Sequence, residues 1–186
     1  MNYINILNKI IDENKKNEKT EENPYFVFTW GQAGAGKSNL IKIIKHNFKN
    51  ENFIIIDADE YREYHPNIKY IMKDTTTVAK KTGEFIREIE KSLLDTYIKS
   101  KNNVIFVTSS KDYVEMSQLI DELLKYNYKI HVYGMITSFS EAFISTLERY
   151  ELQLKMQKEI PRFVDFNFYR KSFLRYKRYT KKDNKR

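Results

Sequence analysis

The chain has 186 residues, no cysteine, three histidines and a formal charge of +8. That length suits one domain with a real core, while the lack of cysteine excludes disulfide frameworks and thiolate metal sites, and histidines so far apart make no zinc site. Residues 170–186 hold nine Lys or Arg and one acid, whereas residues 1–169 balance at 24 basic and 24 acidic groups. A neutral body with a basic tail is a different object from a basic nucleic-acid-binding domain.

Residues 1–14 place Tyr3, Ile6, Leu7, Ile10 and Ile11 on one face of a predicted helix. Its apolar stripe suits packing on the chain's own core or docking of a partner. A polar stretch, Glu13 to Asn23, leads to Pro24, so residues 1–23 read as an N-terminal helix and linker, 24–163 as the core, and 164–186 as a basic aromatic helix or tail. Within the core, β-prone runs at Phe26–Thr29, Phe53–Ile56, Val104–Val107 and Ile130–Met135 alternate with helical pattern at 37–48, 59–64, 83–100, 112–126 and 139–157. That alternation predicts an α/β fold in three layers, a mostly parallel central sheet flanked by helices. No run is long enough to span a bilayer, and Met1 to Ile11 has no small-residue cleavage site. A cytoplasmic protein without a membrane partner is expected.

The first β-prone run leads into Gly31-Gln32-Ala33-Gly34-Ala35-Gly36-Lys37-Ser38, which fits G-x-x-x-x-G-K-[ST] at every fixed position. Glycines let successive backbone N–H groups turn inward around a phosphate, and the helix that follows adds the positive end of its dipole. Lys37 is then placed to reach the terminal phosphates of ATP, and Ser38 to offer a hydroxyl to Mg²⁺. The following helix has Leu40, Ile41, Ile43 and Ile44 on its expected buried side. The motif therefore has the strand before and helix after that a P-loop needs.

Ligands of such sheets bind beyond the carboxyl ends of the strands. The second run ends in Asp57-Ala58-Asp59, two carboxylates suited to holding Mg²⁺ or accepting a proton from an attacking hydroxyl; capping the next helix suits Asp57 equally well, whereas the position of Asp59 beyond the strand end favours chemistry. Val104 to Lys111 contains no acid, so a metal-binding aspartate on the third strand is absent, and Mg²⁺ falls to Ser38 with Asp57 or Asp59.

Asp57-Ala58-Asp59 leading to His65-Pro66-Asn67, after the Gly-rich loop and before Leu147-Glu148-Arg149-Tyr150-Glu151, resembles the zeta-toxin family of P-loop kinases, from about Pro24 to Arg162. The resemblance implies ATP-dependent phosphorylation of a sugar hydroxyl in a nucleotide sugar such as UDP-N-acetylglucosamine, and restraint by a small helical antitoxin. It implies Asp59 as the carboxylate that activates the acceptor hydroxyl, Arg149 and Arg162 as phosphate-binding arginines, and Glu90 as a substrate residue, with Glu88 as its competitor. By charge alone, Glu148, Arg149 and Glu151 read as a solvated helix face.

Where the family ends its third strand in a Glu-Gly-Thr-Gly-Arg segment facing the sugar, this chain has Val107-Thr108-Ser109-Ser110-Lys111. Ser109 keeps a hydroxyl and Lys111 a charge, but the carboxylate is gone. An altered acceptor, another nucleotide sugar or a nucleotide, is therefore an open alternative. In the tail, Phe168, Tyr169, Phe173, Tyr176 and Tyr179 are interleaved with basic residues. This suits stacking on nucleic-acid bases, as in a polynucleotide kinase, but spacings of four and three between 169, 173 and 176 favour a helix packed on the body. A third alternative is an ATP-binding protein without catalysis.

Overall fold

The computed structural model describes residues 2–49, 51–108, 113–171 and 173–174. Four strands, β1 (Tyr25–Trp30), β2 (Ile54–Asp57), β3 (Val104–Thr108) and β4 (Lys129–Gly134), form one sheet in the order β2-β3-β1-β4, every neighbouring pair parallel. Around it run α1 (Tyr3–Asn14), α2 (Lys37–Asn47), α3 (Ile68–Ile71), α4 (Val78–Lys81), α5 (Gly83–Lys99), α6 (Tyr113–Lys125) and α7 (Phe139–Lys155). Residues Glu60–Tyr64 form a 3₁₀ segment, tighter than the helix expected over 59–64, and the single turns α3 and α4 are too short to carry a periodicity that sequence could reveal.

Alternation along the central strands supplies both faces of the sheet. Phe26, Phe28, Ile54, Ile56, Val104 and Phe106 pack against Ile6 and Ile10 of α1, Ile86, Ile89 and Leu93 of α5, and Leu119 and Leu123 of α6. Val27 and Ile105 point the other way, onto Leu40 and Ile44 of α2. A right-handed crossover from β1 to β2 runs one way across the sheet and those from β2 to β3 and β3 to β4 run back, so α2 takes one face and α5 and α6 the other. These are the expected three layers. Ile43, assigned by the sequence to the buried side of α2, is instead exposed. With Leu40 and Ile44 inward and Ile41 at the margin, position 43 falls beyond the apolar arc of a 100° repeat.

The expected N-terminal helix packs on the chain's own core. Ile6 and Ile10 are 1% exposed, the Tyr3 hydroxyl lies 2.9 Å from Ser92 Oγ on α5, and the Lys19 N–H donates to Asn102 Oδ1 at 2.7 Å. Parallel pairing also aligns one row across the sheet: Asp57 of β2 beside Val107 of β3, then Thr29 of β1, then Tyr133 of β4. The Gly-rich loop begins two residues beyond Thr29, and Asp59 lies two residues beyond Asp57. Truncation of Ile10 to alanine should cost about 2–5 kcal/mol, the usual range for a fully buried aliphatic residue, measured by urea denaturation; a loss below ~1 kcal/mol would show that α1 is not part of the core.

Candidate active site

The loop after β1 begins at Gly31, and Gly34 and Gly36 have φ of +77° and +89°, left-handed values that a side chain strains. At Gly34 the constraint is also one of space: a Cβ there would lie 1.9 Å from the carbonyl oxygen of Ala142 on α7. Gln32 is 1% exposed and its side-chain amide donates to the Thr137 carbonyl at 2.8 Å, which ties the loop to the segment entering α7. Lys37 folds back over the loop, its ammonium donating to the carbonyls of Gly31 at 2.8 Å and Gln32 at 3.0 Å. Burial lowers the Lys37 ammonium to about 8, against the pull of Asp59 and Asp57, which favour its charge, and with Arg149 opposing it. Ser38, in the first turn of α2, is exposed.

Asp57 and Asp59 leave β2 on opposite courses. Asp57 Oδ1 accepts the Asp59 N–H at 3.0 Å, closing a local turn, and burial, aided by the Asp59 charge, raises its carboxyl above the usual range. For Asp59 burial acts in the same direction, but the charges of Arg62 and Arg162, with hydrogen bonds from Arg62, outweigh it and hold the carboxyl below that range. The two neighbouring acids are thus shifted in opposite directions, Asp57 upward and Asp59 downward. Asp59 precedes the 3₁₀ segment, but its side chain makes no capping bond there.

Both arginines reach this cluster. Arg162 Nη1 lies 3.8 Å from Asp59 Oδ2, and its backbone N–H is fixed by Gln153 Oε1 at 2.7 Å. Arg149 stands on α7, which starts at a Ser138 cap: Ser138 Oγ accepts the Glu141 N–H at 3.2 Å and donates to Glu141 Oε2 at 2.7 Å. Glu148 and Glu151 are exposed, but Arg149 is half-buried, so it does not belong to a solvated face with them. Among the described residues its Nε is buried without a hydrogen-bond partner, and burial together with the Arg162 charge lowers its pKa. A buried guanidinium N–H left open beside a P-loop suits an anionic ligand.

The acceptor half is less complete. Val107 is 8% exposed in the row beside Asp57, so an apolar side chain stands where the resemblance implies a carboxylate. Ser109 and Lys111 lie outside the described residues. On α5 Glu90 is half-buried, between Ile86 and Leu94 in helical register, whereas Glu88 is exposed. Helix geometry therefore turns Glu90, not its competitor, toward the body of the protein.

Three further residues, Arg62, Tyr150 and Tyr169, were given no role at the site by the sequence. Arg62 binds Asp59, its Nε at 3.1 Å and Nη2 at 2.9 Å from Oδ1. Its i, i+3 spacing on a helical turn is the one feature that could have pointed to it. Tyr150, one residue after Arg149, shares a 2.7 Å hydrogen bond with Thr75 and packs its ring on Phe163. Tyr169 is fully buried, donates to the Phe139 carbonyl at 2.8 Å, and lies within an aromatic group with Phe143, Phe166 and Phe139, which Phe173 joins. Residues 166–171 and 173–174 are helical, so the aromatics at 169 and 173 pack on the body; Tyr176, Tyr179 and most of the basic tail lie outside the described residues.

A four-stranded parallel sheet with a P-loop after β1 and helices on both faces defines a P-loop phosphotransferase-like α/β protein. The chain belongs to the Zeta toxin family, whose model matches residues 8–185. It is 23% identical over 140 residues to Toxin PezT of Streptococcus pneumoniae serotype 4, covering 73% of this chain and 54% of that protein. It is 24% identical over 150 residues to Toxin zeta of Streptococcus pyogenes, covering 80% and 52%. The chain thus spans about half the length of these curated relatives. Cytidine diphosphoramidate kinase of Campylobacter jejuni is 25% identical over 114 residues, covering 60% of this chain and 62% of that one. Among solved structures, that of the PezAT chromosomal toxin-antitoxin system of Streptococcus pneumoniae superposes with a TM-score of 0.76 at 20% identity, covering 85% of this chain and 65% of its own.

Gly34→Ala should destabilise the protein by more than the roughly 1–3 kcal/mol of backbone strain alone, because the methyl group also meets the Ala142 carbonyl. Chemical denaturation of Gly34→Ala and Gly36→Ala side by side separates the two effects, since a Cβ at Gly36 meets no atom closer than 3.4 Å. Equal losses would show that the loop and α7 do not touch as described.

Proposed function

We propose that the chain is an ATP-dependent kinase of zeta-toxin type that transfers the γ-phosphate to a hydroxyl of a nucleotide-bearing acceptor, a nucleotide sugar such as UDP-N-acetylglucosamine. The observation that carries this reading is the clustering of Lys37, Asp59, Arg149 and Arg162 beside the P-loop, close enough for their charges to act on one another. Gly31 to Ser38 would wrap the phosphates with backbone N–H groups, and Lys37 would supply the charge nearest the β- and γ-phosphates. Asp59 takes the proton of the acceptor hydroxyl as its oxygen bonds to the γ-phosphorus, and the bond to the β,γ-bridging oxygen breaks to release ADP. Arg149 and Arg162 meet the charge that develops on the transferring group. Ser38 and Asp57 are oxygen donors of the kind Mg²⁺ accepts alongside phosphate and water, and they fit that ion, which on binding would neutralise phosphate charge. The wholly α/β, cysteine-free chain and its demand for ATP suit the cytoplasm.

Val107 favours a second acceptor within the same reaction. A buried valine beside Asp57 cannot accept a hydrogen bond from a sugar hydroxyl, and a kinase relative is named for a cytidine diphosphate derivative rather than a sugar nucleotide. A nucleotide acceptor therefore stands beside the nucleotide sugar. The family membership and the likeness to a toxin-antitoxin structure support a small antitoxin protein as partner.

The test is transfer of labelled γ-phosphate from ATP to a panel of UDP-N-acetylglucosamine, other nucleotide sugars, free nucleotides and short RNA. Asp59→Asn should keep ATP binding and lose transfer by at least the ~10²-fold typical of a positioned acid-base group; undiminished transfer would remove Asp59 from the chemistry. ATP affinity should also follow the charge on Lys37. Phosphate prefers the ammonium form, so affinity is full below pH of about 8 and falls above it, by at most ~tenfold per pH unit. Calorimetry between pH 6.5 and 9.5 reads this directly, and a flat profile would deny Lys37 that role.

A further inference from the structure

Arg62 has no part in the chemistry above, yet it is the best-anchored charged group near Asp59. Its side chain is 17% exposed, against 42% for Asp59. Two of its N–H groups converge on the same oxygen, Asp59 Oδ1. The remaining nitrogen, Nη1, donates to Thr82 Oγ1 and, at 3.4 Å, to the Ala79 carbonyl. Thr82 is fully buried at the junction of α4 and α5 and spends its own proton on the Val78 carbonyl at 2.8 Å, which turns its lone pairs toward Arg62. A continuous chain of hydrogen bonds thus runs from the core to one carboxylate oxygen. An ordinary i, i+3 surface pair has no such second anchor.

Among the described residues the other oxygen, Oδ2, has only the approach of Arg162 Nη1 at 3.8 Å, beyond hydrogen-bond distance. The terminal torsion of an aspartate is broad and nearly two-fold, so a carboxylate held by neither oxygen presents both in turn. We infer that Arg62 is a positioning residue that fixes Asp59 through Oδ1, so that Oδ2 alone faces the acceptor hydroxyl. This rests on the kinase reading above. It gives the fork a purpose that charge alone does not, because a lysine ammonium would supply the charge without the plane that sets the angle.

The experiment is steady-state and binding analysis of Arg62→Ala, Arg62→Lys and Thr82→Val in the full chain, with the acceptor that wild type phosphorylates. Arg62→Ala should lower kcat roughly 10²-fold, the scale of a reacting group displaced by about 1 Å, while the Kd for ATP stays within about twofold of wild type. Arg62→Lys should recover only part of that loss, and Thr82→Val should show a smaller fall of the same kind. Added guanidinium ion should restore activity to Arg62→Ala but not to Arg62→Lys, a rescue that a merely structural defect would not show. In an Asp59→Asn background, Arg62→Ala should cost little more.

Wild-type kcat in Arg62→Ala overturns the inference and leaves the kinase reading intact. So does a parallel loss of kcat, ATP binding and thermal stability without rescue, which would make Arg62 a structural residue. Transfer by no form of the protein, wild type included, removes the kinase reading and this inference together.

Discussion

The carbonyl oxygen of Ala142 occupies the space that any side chain at position 34 would need. That contact joins the phosphate-binding loop to α7 without an intervening side chain, and much of the site depends on it. Arg149 stands two turns further along the same helix, so its distance from the loop is set by helix geometry rather than by a flexible arm. The start of α7 is fixed three more times, by the Ser138 cap, by Gln32 on the Thr137 carbonyl and by the Tyr169 hydroxyl on the Phe139 carbonyl. Loop, helix and aromatic segment form one unit.

Within that unit charge is deliberately unbalanced. Lys37, Arg62, Arg149 and Arg162 face Asp57 and Asp59, and burial works against ionisation at Lys37, Arg149 and Asp57 alike. Arg149 and Arg162 repel each other, and the buried Arg149 Nε lacks a hydrogen-bond partner among the described residues. A fold selected for stability alone would not assemble this set. In the proposed reaction a polyphosphate would supply negative charge and acceptors to this set, so that the electrostatic cost of assembling it would be recovered as affinity.

Much of this was legible in sequence because it is local or periodic. The strands at Phe26 and Val104 show themselves as apolar runs bounded by helical pattern, and the P-loop is contiguous, so its conformation is encoded where it is used. Arg149 was not legible from charge: flanked by exposed glutamates it looks solvated, and its burial comes from α7 lying over the loop, a tertiary fact. The role of Arg62 depends on Thr82, twenty residues away across two single-turn helices that no periodicity announces. Ile43 failed for the opposite reason, since an isoleucine counts as buried in any pattern while the apolar arc of α2 is too narrow to include it.

The strand order also dictates when the protein can exist during its own synthesis. β1 is central, and Phe26 pairs with both Val104 and Ile130, so neither partner has been made when the P-loop strand leaves the ribosome. At ~5–20 residues per second the delay is on the order of ten seconds. Through that interval Phe26, Val27 and Phe28, all fully buried at the end, have no sheet to join. The Gly-rich loop is thus written early in the chain, while both strands that flank β1 are made late, so the pairing that frames the loop is non-local and of the kind that forms slowly.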